Sequence, residues 1–247
     1  MTKNRNSDEK HTKEESLKKP MVKVDQVSKK FENGTVALVD LTFEIPTEEF
    51  AFIVGPSGAG KTTLLRMFIR DVVPTVGDVF VNDFHVSHMN QQSVPDLRRK
   101  VGMVFQDLKL LSDRTVFENV ALPLEIVGMK DSYVEETVDR MLQLVGLFER
   151  KNVFPAQLSG GEMQRTAIAR AMVVEPDLLL ADEPTGNLDP ATSWEIVKLM
   201  ETINKLGTTV IMATHNVDIV NSLPHRVIFL QEGRIVKDQK GARYGTV

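Results

Sequence analysis

Four short apolar runs limit what this chain can fold into: AFIV (51–54), VGMVF (101–105), LLLA (178–181) and VIMAT (210–214). Each is too short for a buried helix and too continuous for a strand with one wet face. Strands covered on both faces have this composition. Amphipathic stretches lie between them. In 134–145, Val134, Val138, Met141, Leu142 and Val145 form one stripe, and in 190–206 Ile196, Val197, Met200 and Ile203 form another. The second stretch is punctuated as a helix, with Asp189 at the N-cap, Pro190 at the first position and Gly207 just past the end. Strand and helix in alternation imply a parallel α/β sheet with right-handed crossovers. The stretch VKVDQVSKKFENGTVALVDLTFEI differs, and its short strands around an Asn-Gly turn predict a small antiparallel subdomain.

The residues just past each run point to function. The first run leads into Gly55, the second into Gln106, the third into Asp182 and Glu183, and the fourth into His215. Ligands of open α/β sheets bind at the carboxyl ends of the strands. If these strands lie side by side, a glycine loop, an amide, two carboxylates and an imidazole share one site.

The loop GPSGAGKT (55–62) fits the G-x-x-x-x-G-K-[ST] phosphate-binding pattern in full, follows a strand and precedes a helical stretch. Gly55, Pro56, Ser57, Gly58, Ala59, Gly60, Lys61, Thr62 and the adjoining Thr63 are therefore expected to bind a nucleotide. Glycines let backbone N–H groups close around phosphate oxygens, Lys61 reaches the β and γ oxygens, and the Thr62 hydroxyl ligates Mg²⁺. Strand alternation sends Asp182 and Glu183 to opposite faces, which predicts different tasks. Asp182 is expected to hold Mg²⁺, and Glu183 to position or deprotonate the attacking water. The strand-end placement of His215 favours a γ-phosphate contact, whereas His11, His85, His88 and His225 read as structural histidines. Position alone does not decide whether Gln106 faces a ligand or solvent.

Composition removes several classes. A net charge of −4 leaves no basic excess for nucleic acid, and the absence of cysteine excludes disulfides and thiol chemistry. No run of about 18 apolar residues is present. Residues 1–19 carry many charges of both signs and are expected to form a disordered tail.

A second glycine-led helix start, QLSGGEMQR (157–165), poses a question that the first loop does not. One nucleotide needs one cradle. Ser159, Gly160 and Gly161 make sense as a second cradle if they close over a nucleotide held by another copy of the chain, through a twofold dimer.

GPSGAGKT, FQD, LSGGE, LLLADEP, GNLD and ATH occur in that order over about 21–235. In this the chain resembles the nucleotide-binding domains of ATP-binding cassette (ABC) proteins. The resemblance implies a P-loop NTPase fold: a parallel α/β core, a small antiparallel β subdomain and a helical subdomain at about 107–170, within an ATPase domain spanning 20–240 and followed by a tail at 241–247. It implies that Phe31 stacks on adenine, where the family more often has Tyr. It implies that Gln106 contacts Mg²⁺ and the attacking water and links the site to a membrane partner. Ser159, Gly160 and Gly161 are implied to contact the γ-phosphate in trans, and Asp189 to cross the dimer interface.

The stretches VPDLRRKVGMVFQDLKLLSDRTVFENVALPL and FPAQLSGGEMQR are similar to the cell-division ATPases of that family, in their Gram-positive form. Such an ATPase pairs with the integral membrane protein FtsX and relays ATP cycles to cell-wall hydrolases, which implies a peripheral place on the cytoplasmic face of the membrane, at the division site. An ATPase subunit for lipoprotein release or substrate import is the alternative. A DNA-repair ATPase would insert coiled coils or zinc modules, and this chain has neither sustained heptads nor cysteines between the phosphate loop and Asp182. The apolar density after Gln106 predicts a groove lined by Leu110, Leu111 and Val116 that receives the membrane partner.

Overall fold

The computed structural model describes residues 20–241. The predicted tail at 1–19 and nearly all of the one at 241–247 lie outside the described residues. All four apolar runs are strands: β3 (Phe50–Val54), β6 (Val101–Val104), β7 (Leu178–Asp182) and β8 (Thr209–Thr214). They pair in parallel in the order β3-β8-β7-β6. On the other side of β3 lies β9 (Arg226–Gln231), also parallel, and β10 (Arg234–Lys240) closes that edge antiparallel to β9.

The two-faced burial is literal. Ala51 and Ile53 of β3 join one hydrophobic cluster, while Phe50, Phe52 and Val54 join another. Leu178 and Leu180 alternate with Leu179 and Ala181 in the same way, as do Ile211 and Ala213 with Val210 and Met212. Successive side chains of a strand face opposite ways, so the apolar residues of these runs have an apolar destination on either face.

The first cluster fills the space between the parallel sheet, helix α1 (Lys61–Phe68) and a four-stranded antiparallel sheet. That sheet has the order β2-β1-β4-β5, from β1 (Pro20–Lys30), β2 (Val36–Pro46), β4 (Val76–Val81) and the two-residue β5 (Phe84–His85). The antiparallel subdomain is thus present. Its first two strands are 11 residues each rather than short, because register shifts along β1 absorb breaks in the apolar alternation that read as strand ends in sequence. Helix α2 (Val94–Lys100) then leads into β6.

The second cluster is covered by α5 (Gly160–Met172), α6 (Pro190–Lys205) and α7 (Val217–Ser222). Asp189 caps α6 by accepting the Thr192 N–H at 3.0 Å, as its spacing predicts. A third cluster joins α3 (Val116–Ile126), α4 (Asp131–Leu144) and one side of α5. Val134, Val138 and Leu142 bury the predicted stripe of α4 against Val116, Val120 and Leu124 of α3. A Thr115–Glu118 capping box starts α3, so residues 107–115 ahead of it are not helical. Among the described residues no helix is long and apolar enough to cross a membrane.

Candidate active site

Because β3, β8, β7 and β6 are neighbours, their carboxyl ends deliver Gly55, His215, Asp182, Glu183 and Gln106 to one edge. A cavity of about 370 Å³ opens there. Its walls include Phe31, Ser57 through Thr63, Gln106, Glu183 and His215. Sequence reasoning missed Thr35, Val36 and Ala37, which complete the wall beside Phe31. They carry no motif, and the turn ahead of β2 brings them in. The Phe31 N–H donates to Thr35 O at 2.8 Å, which holds that turn, and the Lys29 ammonium lies 5.1 Å from the Phe31 ring centre.

The phosphate loop has the backbone that its glycines permit. Gly60 enters α1 at φ 101 with no side-chain cap. At Gly55 a Cβ would lie 2.1 Å from Leu230 O at the end of β9, so only glycine fits where the two backbones meet. Lys61 is buried to 7% exposure and donates to Gly55 O at 2.9 Å and Pro56 O at 3.2 Å. Its ammonium also lies 3.3 Å from Glu183 Oε1.

Glu183 departs from the alternation argument. It stands just past β7 in the left-handed region, φ 51, and its N–H donates to Ala213 O at 2.9 Å. Simple alternation would turn its carboxylate away from the face that Asp182 shares with α1. The left-handed turn places it beside Lys61 instead. A non-glycine residue in this conformation stores strain of order 1–3 kcal/mol, and such strain clusters at functional sites. The other Glu183 oxygen takes the His215 N–H at 3.3 Å and lies 2.9 Å from His215 Nδ1.

Asp182 lies beneath, 3% exposed. Burial pushes its carboxyl above the usual carboxylate range, against a hydrogen bond from the Thr62 side chain that pulls it down. Asp182 Oδ1 is buried without a hydrogen-bond partner. A buried, unpaired carboxylate oxygen next to a hydroxyl is a costly arrangement unless a cation completes it. With the Gln106 amide at the cavity wall, the donor set is all oxygen, which suits Mg²⁺.

Ser159, Gly160, Gly161 and Asp189 do not line this cavity. Ser159 caps α5, and a Cβ on Gly161 would lie 2.5 Å from Thr192 Cγ2, so that glycine is required by the contact of α5 with α6. The predicted groove after Gln106 is present with a different lining. Val116 is fully buried in the helical cluster, because it is the first residue of α3 and faces α4 and α5. Leu108, Leu110, Pro155 and Met163 line an opening of about 580 Å³ that begins at Gln106, and Leu111 is exposed outside it.

The sequence matches the ABC transporter family over residues 38–186. Two relatives cover nearly all of the described chain. The cell division ATP-binding protein FtsE of Bacillus subtilis is 48% identical over 92% of this chain and 99% of its own length. FtsE of Streptococcus pneumoniae is 49% identical over 91% and 98%. Among solved structures, the ATP-binding cassette MJ0796, a dimer in a post-hydrolysis state bound to ADP and Pi, superposes with a TM-score of 0.82 at 33% identity, over 91% of this chain and all of that one. The chain belongs to the ABC transporter family of ATP-binding proteins, and it is an ATPase. Within that family it is FtsE-like.

Proposed function

We propose that this chain binds MgATP in the cavity at the strand ends, closes on a second copy, and uses hydrolysis to drive an FtsX-type membrane partner in cell division. The observation that carries the reading is the convergence of Lys61, Glu183 and His215 on one cavity above the unpaired Asp182 oxygen.

In this reading the triphosphate lies along the backbone N–H groups of Gly58 to Thr62, with its base against Phe31. Lys61 turns from Glu183 to the phosphate oxygens, since both are anions competing for one ammonium. Glu183, oriented by His215, then takes a proton from the attacking water as the γ-phosphoryl group passes to it, leaving ADP and phosphate. Thr62, Asp182 and Gln106 would hold the metal, which supplies charge neutralisation on the β and γ oxygens.

The relative solved with ADP and Pi is a dimer. By that likeness Ser159, Gly160, Gly161 and Asp189 of one copy would face the nucleotide of the other. The named relatives are cell-division proteins, which favours that role over lipoprotein release or substrate import. Attachment to the cytoplasmic face of the membrane at the division site would come through the partner, seated at the groove beside Gln106.

Glu183→Gln tests the chemistry. It should bind ATP and dimerise while steady-state turnover falls by about 10²- to 10⁴-fold, the usual contribution of a general base. Unchanged turnover would overturn the role of Glu183. Detergent co-purification from membranes tests the partner. An FtsX-type integral protein should come with the native chain, and Leu110→Glu should lose it with ATP binding intact.

A further inference from the structure

Outside the nucleotide cavity, the antiparallel sheet carries three side chains that converge. Asp78 lies in β4, His85 in β5, and His88 in the turn after it. Phe80 is the register partner of His85, so Asp78, two residues before Phe80, shares its face. The His85 ring stacks on Phe80 at 4.3 Å and 18°, which fixes its orientation. The His88 ring stands edge-on to it, 4.7 Å away and at 76°. His85 Nε2 is 2.6 Å and His88 Nε2 is 3.1 Å from the same oxygen, Asp78 Oδ1.

The backbone that presents these groups is fastened. The Val86 N–H donates to Val79 O at 2.8 Å, and the Val79 N–H donates to Ser87 Oγ at 2.8 Å. The turn after β5 is closed by the Met89 N–H donating to His85 O at 2.9 Å. Across the ladder, Asp25 of β1 is the register partner of Asp78, which puts a second carboxylate on the same face.

We infer that Asp78, His85 and His88 form a binding site for a divalent transition-metal ion of the zinc class. Two imidazole nitrogens and one carboxylate oxygen are donors that such ions favour, and the nitrogens disfavour Mg²⁺ and Ca²⁺. Metal–nitrogen distances near 2.0–2.1 Å require ligand atoms about 3.3 Å apart around a tetrahedral ion. The separations of 2.6 and 3.1 Å open to that with a small movement of the Asp78 carboxylate, which is common to both and 41% exposed, and of His88, which is 71% exposed. The ligand atoms of all three side chains lie within 4.8 Å of one another, close enough to share one ion. Three protein ligands leave a position for water or for Asp25. The ion would tie β4 to the turn after β5. None of the three residues lines the nucleotide cavity, so the two sites are separate.

The test is a titration of the full, tag-free chain with Co²⁺, read by visible absorption, followed by competition with Zn²⁺. Native protein, His88→Ala, Asp78→Asn and His215→Ala are compared. One ion per chain should bind, and Zn²⁺ should raise the thermal midpoint. His88→Ala, an exposed substitution that spares the fold, and Asp78→Asn, which keeps the shape, should each weaken Zn²⁺ binding by at least about tenfold and reduce the thermal shift accordingly. His215→Ala should bind as the native chain does. No binding below about 1 mM Zn²⁺, equal binding by His88→Ala, or loss only in His215→Ala would each overturn the assignment.

Discussion

Two helices of this chain begin with a glycine-led loop, and they begin in opposite ways. At α1, Gly60 holds φ 101 and no side chain caps the helix, so the first N–H groups stay available to an incoming anion. At α5 a capping box already occupies part of the start. Ser159 Oγ accepts the Glu162 N–H at 3.3 Å, and Glu162 Oε2 accepts the Ser159 N–H at 2.8 Å. Arg150 Nε adds a bond to Glu162 at 3.0 Å. That backbone bond from Ser159 is the main reason the Glu162 carboxyl lies below the usual carboxylate range. Similar sequence texture therefore gives one uncapped cradle and one held by a capping box. A phosphate at the second must compete with a capping box, which suits a contact made only when another copy delivers a triphosphate.

Substitutions can break this comparison. The largest effect is expected at the open cradle. Lys61→Ala should weaken ATP binding to the single chain by about 10- to 100-fold, the loss of one or two charge-assisted bonds, measured by calorimetry. An unchanged affinity would mean that Lys61 belongs to the loop's own architecture. Next comes Gly161→Ala. Its Cβ meets Thr192, so chemical denaturation should show a loss of about 1–3 kcal/mol, while the ATP affinity of the single chain stays native. The smallest change is Ser159→Ala. Removing one half of the box should cost about 1 kcal/mol of stability. It should leave ATP affinity of the single chain unchanged and reduce ATP-dependent dimerisation in light scattering. Weaker ATP binding by the isolated chain would erase the distinction between the two cradles.

Much of this was legible in the sequence because it rests on local rules. The four apolar runs could only be doubly covered strands, and the residues after them fell together because parallel strands end on one edge. The helix stripes and the Asp189 cap were visible for the same reason. What stayed hidden depends on conformation or on distant partners. Nothing local announces that Glu183 adopts a left-handed backbone, and alternation alone points its side chain the wrong way. Val116 looks like a groove residue among its apolar neighbours, yet the packing of α3 on α4 and α5 buries it. His225 is structural as its isolation implies, stacked on Phe50 at 4.4 Å and 3.0 Å from Glu201. His85 and His88 look equally isolated, but a hairpin sets both beside Asp78.

The contact of Gly55 with Leu230 bears on how the protein comes to life on the ribosome. The phosphate loop directly follows β3, yet the strand wall it leans on is made far later in the chain. β3 gains its neighbours β8 and β9 only after more than 150 residues have been added beyond it. The Gly233 N–H then fastens to Ala59 O at 3.2 Å, and the Val39 N–H to Gly233 O at 2.8 Å. Contacts this far apart in the chain form late. A nascent polypeptide that has emerged only through β7 therefore carries the whole glycine motif without the buttress that shapes it. Competence for nucleotide should therefore switch on only once β8 and β9 have followed.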